Sequence, residues 1–397
     1  MSIVFRLKYA LGMIPSADQL DAKWEKLIKM RDDLSQMESS EELKKYEDLK
    51  SLVDSSSFQQ KKREIEGLQY SGSKEENLSL EYRKLTKSYA IKNYLKTIGS
   101  SELKRWEELK ALTGSEDFNH RVSYLKDKHR FKKSEEYKSI LAFNEMDKSR
   151  FMAEYRKLKK AKELDFFEKW DVVLDENFTG KELNTNQWQP ENWLAVKLAG
   201  ASFSQVDEKQ CFNGEKNIQL INNTLLLWTK KEKVTGKAWV PAVGLIPKHY
   251  EYTSPILNSA GFFRFKEGVI EAKVRFKKDA TITSAFSLTG EHPFPQIDLF
   301  RSTKNGVGLG MVEKQGRSSA KYKNMNGLND EHFHVFRLEI YEGMLIWKIN
   351  GSEVFRSTTY LNEPLFINLL STLHGNVNEH LLPYKFEIDW IRSYVKK

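Results

Sequence analysis

Cysteine is almost absent from this chain, since Cys211 is the single cysteine among 397 residues. One thiol cannot form an intramolecular disulfide and cannot supply a cluster of thiolate metal ligands. Its simplest role is that of a small apolar side chain. The sequence therefore excludes a disulfide-stabilised scaffold and a cysteine-rich metal module.

Long hydrophobic runs are also missing. An apolar stretch near the start of the chain is interrupted by Arg6 and Lys8. This stretch is too short and too charged for the core of a secretory signal or for a membrane span. The sequence thus predicts no membrane span and no removable signal, and we expect a protein that is cytoplasmic or part of an assembly.

An excess of one charge sign is weak here. Lysine and arginine number 64 against 55 acidic residues, which gives a formal net charge of +9. Because the two signs are nearly balanced, dispersed surface charge is expected rather than a phosphate-binding stripe. We predict no nucleic-acid partner. A length of 397 residues with 40% hydrophobic content is enough for two domains with cores of their own.

Proline is scarce in the first part of the chain. Only Pro15 lies within the first 170 residues, and the other prolines all lie beyond residue 189. This change in composition near Trp170 predicts two domains, 1–169 and 170–397. We expect a multidomain protein in which a charged, all-α helical domain precedes an all-β domain.

The predicted helical domain shows regular apolar spacing. Leu43, Tyr46, Leu49 and Leu52 recur at three-residue intervals and form one stripe of a helix. Serine or aspartate precedes an apolar residue in "DSSSF", "GSEDF" and "DKSRF", which is a signal for a helix N-cap. Short helices are therefore expected throughout this domain.

The same domain also repeats itself. "SSEELKKYEDLKSLVDSSSF" (Ser39–Phe58) aligns with "SSELKRWEELKALTGSEDF" (Ser100–Phe118), and five apolar positions keep their order. Weaker echoes at Leu80–Tyr94 and Glu135–Phe151 indicate a unit of about 30 residues used four or more times. We predict an extended array that acts as a scaffold or docking arm, and an irregular helical bundle remains the alternative.

From Trp170 onward the pattern changes to short alternating runs. "GVIEAKVRF" (Gly268–Phe276) alternates apolar and charged residues, as a strand with one buried face does. "HVFRLEIYEGMLIWKINGSEVFRS" (His334–Ser357) gives three strands joined by turns at Glu342-Gly343 and Asn350-Gly351. Many short strands with little helix between them predict an antiparallel sandwich or barrel.

The succession of segments in this β-domain resembles glycoside hydrolase family 16, the laminarinase and lichenase type. The segments that carry the resemblance are "WDVVLDENFTGKELNTNQW", "YTSPILNS", "FFRFKEGVIEAKVRF", "AFSL", "PQIDLFR", "HVFRLEI", "KINGSEVF" and "FEIDWIRSYV". They span residues 170–396. The resemblance implies a concanavalin A-like jelly roll of two curved antiparallel sheets, with a glycan-binding cleft on the concave face.

The central strand of that family reads Glu-Ile-Asp-(Ile/Leu)-x-Glu. Its retaining chemistry needs two carboxyl groups about 5–5.5 Å apart, and the spacing implies a β-bulge that turns the last side chain back into the cleft. In "PFPQIDLFRS" the first and third acid positions of the motif are Gln296 and Arg301. Only the middle acid, Asp298, remains.

These two replacements remove the expected chemistry. A neutral amide is a poor nucleophile, and a guanidinium stays protonated and cannot serve as general acid or base. No catalytic residue is therefore expected at Gln296, Asp298 or Arg301, and Asp298 is expected to pair with Arg301 inside the sheet. Glu291 in the preceding loop and Glu271 on a neighbouring strand are the fallback carboxylates for an unorthodox mechanism.

Aromatic side chains are the other candidates for contact with a sugar, because a ring suits the apolar face of a pyranose. The candidate substrate-binding residues are Trp188, Trp193, Trp239, His292 and Phe294. Core packing or loop anchoring is the alternative for each tryptophan.

Metal binding is not indicated by the histidines, which are scattered without ligand spacing. The resemblance implies one weak calcium candidate, Asp389, which could approach Asp175 and Glu176 on the opening strand. A solvated pair of strands is the alternative, and no other cofactor is expected.

Three classes of function follow. The first, which we favour, is a non-catalytic carbohydrate-binding or scaffold protein with an inactivated cleft and a helical arm that docks partners. The second is a structural subunit of a larger assembly with no role in sugar binding. The third is an active β-glucan hydrolase that cleaves O-glycosyl bonds with non-standard carboxylates.

Overall fold

The structure is a computed structural model and describes residues 3–93, 98–314 and 320–397. Contacts divide the chain into two compact units. One contains the described residues up to Leu27 together with Asp165–Lys397, and the other is Ile28–Leu164. A helical unit and a β-sandwich unit confirm the predicted fold class. The first 27 residues differ from the predicted division, because they belong to the β-sandwich unit.

The helices of the described ranges are mostly short, and the first two are labelled α1 and α2. In chain order the helices are α1 (Ile3–Ala10), α2 (Ala17–Glu38), Glu41–Asp54, Ser56–Gly67, Lys74–Thr86, Tyr89–Lys92, Ser101–Gly114, Glu116–Lys126, Glu135–Asp147, Arg150–Lys159, Asp165–Lys169 and Trp193–Ala199. Of the predicted repeat segment Leu80–Tyr94, Tyr94 lies outside the described residues.

Serine side chains begin these helices in a repeating pattern. The Oγ atoms of Ser55, Ser115 and Ser149 accept hydrogen bonds of 3.2–3.3 Å from backbone N–H groups three residues later, which confirms the predicted N-caps. Further capping serines are Ser40, Ser73, Ser100 and Ser134. Ser40 and Ser55, Ser100 and Ser115, and Ser134 and Ser149 keep the same separation along the chain. The helical unit is thus built from repeated helix pairs.

The helix pairs do not pack only against their neighbours in sequence. Helix Glu41–Asp54 packs on Glu135–Asp147, where Tyr46 stacks on Phe143 with ring centroids 5.5 Å apart. The middle helices Lys74–Thr86 and Ser101–Gly114 pack on each other. The first repeat therefore contacts the last one within this unit.

The strands lie in the β-sandwich unit. They are β1 (Trp170–Glu176), β2 (Ser204–Gln205), β3 (Gln210–Phe212), β4 (Ile218–Ile221), β5 (Thr224–Val240), β6 (Gly244–Ser254), β7 (Ile256–Asn258), β8 (Gly268–Phe276), β9 (Ile282–Thr289), β10 (Gln296–Thr303), β11 (Gly306–Val312), β12 (Ala320–Asn326), β13 (His334–Tyr341), β14 (Met344–Ile349), β15 (Ser352–Thr358), β16 (Phe366–Leu373) and β17 (Tyr384–Lys396).

Two sheets form the sandwich. The larger sheet has the order β15-β14-β13-β8-β17-β5-β6-β3, with β1 paired to β17 and both β2 and β4 paired to β5. The smaller sheet has the order β12-β11-β10-β9-β16-β7. Pairing is antiparallel except between β2 and β5 and between β3 and β6. The apolar core lies between the sheets, where Phe300 of β10 stacks on Phe336 of β13 at 4.9 Å.

The first half of α2 covers part of the outer face of the larger sheet. Ala17 packs with Val335 and Trp390, and Asp21 Oδ1 accepts a hydrogen bond of 2.6 Å from Trp390 Nε1. Lys273 Nζ, on β8, lies 2.5 Å from Asp21 Oδ2. These contacts explain why the first 27 residues belong to the β-sandwich unit.

Candidate functional site

Strand β10 carries Gln296, Asp298 and Arg301, the three positions compared with the family motif in the sequence. Asp298 lies opposite Gly310 of β11, whereas Arg301 lies opposite Gly308, so the register shifts between Asp298 and Arg301. This shift is the β-bulge expected from the motif spacing. It brings three side chains together: Gln296 Nε2 donates to Asp298 Oδ1 at 2.9 Å, and Arg301 Nε donates to Asp298 Oδ2 at 2.7 Å.

Further donors complete the surroundings of the Asp298 carboxylate. The side chain is fully buried. Ser287 Oγ donates to Oδ1 at 2.6 Å, and the Tyr322 hydroxyl donates to Oδ2 at 2.7 Å. Each carboxylate oxygen therefore receives at least two hydrogen bonds, and the group is held as a structural ion pair with Arg301.

The protonation of this cluster follows from the same contacts. Burial favours the neutral acid and would raise the pKa of Asp298, but the Arg301 charge and the donated hydrogen bonds outweigh burial and lower it. The Asp298 charge raises the pKa of Arg301 further. Burial and the same carboxylate raise the pKa of Tyr322. Near neutral pH the cluster is therefore carboxylate, guanidinium and neutral phenol, with no proton to exchange.

A small polar cavity lies over β10 on the outer face of the smaller sheet. Its volume is about 190 Å³, below the roughly 300–1,000 Å³ of typical ligand pockets. It is lined by Asn192, Leu194, Phe203, Gln205, Glu208, Phe212, Ile256, Ser287, Thr289, Pro293, Gln296, Arg301, Asn368 and Leu370. The cavity thus keeps two of the motif positions, Gln296 and Arg301, in its wall.

Glu208 is a cavity residue that sequence reasoning missed. Burial raises its pKa, although the Gln205 N–H donates to its Oε2 at 2.8 Å. It lies between β2 and β3, and its position depends on the parallel pairing of these strands with β5 and β6. No local motif or periodicity in "QVDEKQ" identifies it, because short parallel pairings leave no periodic pattern.

The two fallback carboxylates do not line the cavity. Glu291 forms ion pairs with Lys197 and, at 2.6 Å, with Arg264 Nη1. The hydrogen bond from Lys197 and then that from Arg264 lower the pKa of Glu291. Glu271 lies on the larger sheet, where it accepts a hydrogen bond of 2.7 Å from the Tyr394 hydroxyl. Neither fallback carboxylate therefore lines the cavity beside Gln296 and Arg301.

The aromatic candidates occupy different environments. Trp188 is only 1% exposed, and its Nε1 donates to Glu176 Oε2 at 3.1 Å, so it belongs to the core and offers no ring face to a sugar. Trp193 contacts Phe366 edge-on at 6.1 Å. Trp239 stacks at 5.5 Å on Phe203, which itself lines the cavity.

The remaining two candidates lie in the loop before β10. His292 is exposed and Phe294 is half-buried. Between them, Pro293 reaches the cavity wall. Within the described part of the chain, none of the five aromatic candidates lines the cavity directly, and Trp239 approaches it only through Phe203.

The carboxylate of the calcium candidate, Asp389, forms an ion pair with a lysine. Asp389 Oδ2 lies 2.9 Å from Lys273 Nζ, and Asp175 pairs with Arg392 at 3.1 Å. Glu176 accepts from Trp188 Nε1. Across the described ranges, no group of three or more His, Cys, Asp or Glu residues is arranged to hold a metal ion. Calcium binding at Asp389 therefore stays a prediction from the sequence.

Among the helices of the described ranges, none combines the length and the hydropathy needed to cross a membrane.

Comparisons with known proteins give matches among solved structures alone. No protein-family model and no curated protein sequence matches this chain. The chain is similar to the catalytic domain of an endo-1,3-β-glucanase (laminarinase) from Thermotoga petrophila, with 20% identity over 57% of this chain and 98% of that one and a TM-score of 0.48. It is similar to an endo-β-1,3-glucanase from Pyrococcus furiosus, with 20% identity over 57% and 95% and a TM-score of 0.46. A non-specific endo-β-1,3(4)-glucanase from family GH16 shows 16% identity over 57% and 92%, with a TM-score of 0.47.

Proposed function

We propose that this protein binds carbohydrate without hydrolysing it, and that the cavity over β10 holds a single sugar residue. The observation that carries the proposal is the Asp298 cluster. The only acid left in the motif is buried and bonded to Arg301, Gln296, Ser287 and Tyr322. The strand that would supply the reacting acids instead supplies a rigid wall.

The described residues that line the cavity do not include the pair of acids that hydrolysis needs. A retaining glycosidase uses two carboxyl groups about 5–5.5 Å apart. Among the described residues that line the cavity, Glu208 is the one carboxyl. A single acid cannot act both as nucleophile and as the group that protonates the leaving oxygen, so binding without turnover is expected.

The side chains that line the cavity are suited to hydrogen bonding with the hydroxyl groups of a sugar. Amides from Asn192, Gln205, Gln296 and Asn368 provide both donors and acceptors, and Phe203 provides an apolar ring surface. Asn368 Oδ1 is buried and has no hydrogen-bond partner among the described residues. Buried polar atoms are rarely left unpaired, which supports a bound polar group at this position.

Titration calorimetry with laminarin and mixed-linkage β-glucan, alongside an assay for released reducing sugar, tests the proposal. Binding without release is expected. Asn368→Ala should weaken binding about tenfold, because one hydrogen bond to the ligand is lost. The control is Asn326→Ala, which changes an exposed asparagine on β12. Absence of binding to every glycan tested, or sugar release that Glu208→Gln abolishes, would refute the proposal.

A scaffold role is the second candidate, and one feature of the helical unit favours it. Leu52 and Leu112 occupy equivalent positions in the two clear repeats and are 47% and 44% exposed. We infer that these two leucines are the positions at which a protein partner would contact each repeat. Replacing both by glutamate should abolish binding of a protein partner while glycan binding persists. If both activities persist, the scaffold role is not carried by these leucines.

A further inference from the structure

We propose a second binding site, for a neutral saccharide, on the outer face of the larger sheet and centred on Tyr341. This site is separate from the cavity over β10, which lies on the other sheet. The proposal does not depend on sugar binding in that cavity. It rests on an unpaired hydroxyl, an aromatic wall and a lining without an excess of cations.

The floor of the pocket is made by strand β13. Arg337, Glu339 and Tyr341 alternate along the strand and point to the same face. The intervening Leu338 and Ile340 are buried in the core between the sheets. The floor side chains are therefore fixed by a strand whose opposite face is fully packed.

The walls come from neighbouring elements. Trp170 begins β1, Val395 and Lys396 end β17, and Glu267 and Glu342 flank the strand ends. The volume of this open pocket is about 530 Å³, within the roughly 300–1,000 Å³ of pockets that hold small ligands. The pocket is thus larger than the cavity over β10.

The Tyr341 hydroxyl is a polar atom without a partner. It is buried and makes no hydrogen bond within the described part of the chain. Burial, and then the nearby Glu339 charge, raise the pKa of Tyr341 to about 12, so the hydroxyl keeps its proton and can donate as well as accept. Buried hydroxyls are rarely left without a partner, which supports a bound polar group at this position.

Glu339 supplies an acceptor beside this hydroxyl. Its Oε1 receives hydrogen bonds of 2.7 Å from both Arg337 Nε and Lys348 Nζ. Burial would raise the pKa of Glu339, but these two cations outweigh it and lower the pKa. The carboxylate is therefore ionised, and its Oε2, for which the described residues provide no hydrogen bond, remains free to accept.

Two rings form an apolar surface next to these groups. The Trp170 and Tyr341 rings lie 5.9 Å apart at 51° to each other, and Trp170 is half-buried. A pyranose presents an apolar C–H face to such a ring and hydroxyls at its edge. The pocket therefore offers a ring surface to the C–H face of one sugar residue and hydrogen-bonding groups to its hydroxyls.

The charges of the lining disfavour an anionic ligand. Glu267, Glu339 and Glu342 are acidic, and Arg337 and Lys396 are basic. No excess of cations attracts a phosphate or sulfate group, and the acids would repel it. These features together point to a neutral oligosaccharide.

Calorimetry on the full chain with laminarihexaose and cellohexaose, and with inorganic phosphate as the anionic probe, tests this site. Tyr341→Phe removes only the hydroxyl and should weaken one of two binding sites about tenfold, with an unchanged melting temperature. Trp170→Ala should abolish saccharide binding at that site. Tyr89→Phe, at a 78% exposed tyrosine of the helical unit, is the matched control.

The outcomes separate this site from the cavity. Binding by Tyr341→Phe and Trp170→Ala at wild-type strength, with weaker binding in Asn368→Ala, would overturn the outer site and leave the proposed function intact. Loss in the Tyr341 and Trp170 variants but not in Asn368→Ala would support the outer site and count against the cavity. Phosphate binding that Tyr341→Phe or Trp170→Ala weakens would overturn the neutral ligand class.

Discussion

Asp298 is a fully buried acid that pairs with Arg301 across the bulge of β10. Replacement by alanine should destabilise the protein by about 3–5 kcal/mol, the usual effect of breaking a buried ion pair, because Arg301 loses its partner. Urea unfolding of Asp298→Ala measures this. Glu353→Ala breaks an exposed pair with Arg356 of the same i,i+3 spacing and should cost below about 1 kcal/mol. Equal losses of unfolding free energy in both variants would show that the buried Asp298 pair contributes no more than an exposed pair.

His334 gives the chain a predicted pH dependence. The side chain is buried, its Nε2 lies 2.7 Å from Asn329 O, and burial lowers the pKa of the imidazole below 6.5. The unfolded chain therefore takes up the proton first, and folding stability falls as the pH drops below 6.5 toward the lower folded pKa. Unfolding free energies measured between about pH 5 and 7 should show this slope.

The decrease of the unfolding free energy with falling pH should become smaller in His334→Gln, because glutamine has no titrating ring. His332→Gln, at an exposed neighbouring histidine, should keep the slope of the parent. If both variants retain it, His334 is not the group that titrates.

At the scale of single elements, the serine caps are the clearest determinants of the helical unit. Ser55→Ala should reduce the unfolding free energy of that unit by about 1 kcal/mol, because the Phe58 N–H loses its acceptor. Ser51→Ala, at an exposed position inside helix Glu41–Asp54, should leave stability unchanged or slightly raise it. The readout is chemical unfolding followed by far-UV circular dichroism. A loss of the same size at Ser51 would contradict the role of the cap.

Helix α2 shows how an element is assigned by its contacts. Its sequence is charged and periodic like the other helices, yet its first half docks on the larger sheet. Lys273 pairs with both Asp21 and Asp389, and Arg392 lies 3.9 Å from the Trp390 ring and 4.8 Å from that of Trp24. These partners come from distant strands, so helical periodicity alone places α2 with the wrong domain.

For the whole molecule, we predict that the helical unit unfolds first. Its buried apolar residues are few, among them Leu43, Leu103 and Leu109, whereas the sandwich has a large continuous core. Less buried apolar surface gives less stabilisation. In urea, far-UV circular dichroism should therefore begin to fall before tryptophan fluorescence, because only Trp106 among the tryptophans lies in the helical unit. Coincident curves would contradict this order.

The sequence by itself determined the two kinds of secondary structure and the state of the motif. Serine before each helix and apolar residues at helical spacing indicate the helical unit, and alternation indicates the strands, because both signals act within a few residues. The presence of Gln296 and Arg301 on either side of Asp298, where the family that the sequence resembles has acids, is a property of the sequence alone. So is the need for a bulge between Asp298 and Arg301.

Only the tertiary structure decided which side chains meet. It buries Trp188 in the core, places Glu271 on the other sheet and brings Glu208 into the cavity beside Gln296 and Arg301. It also joins the first 27 residues to the sandwich. These outcomes depend on strand order, register and the contacts between elements far apart in the chain, and no local pattern of residues encodes them.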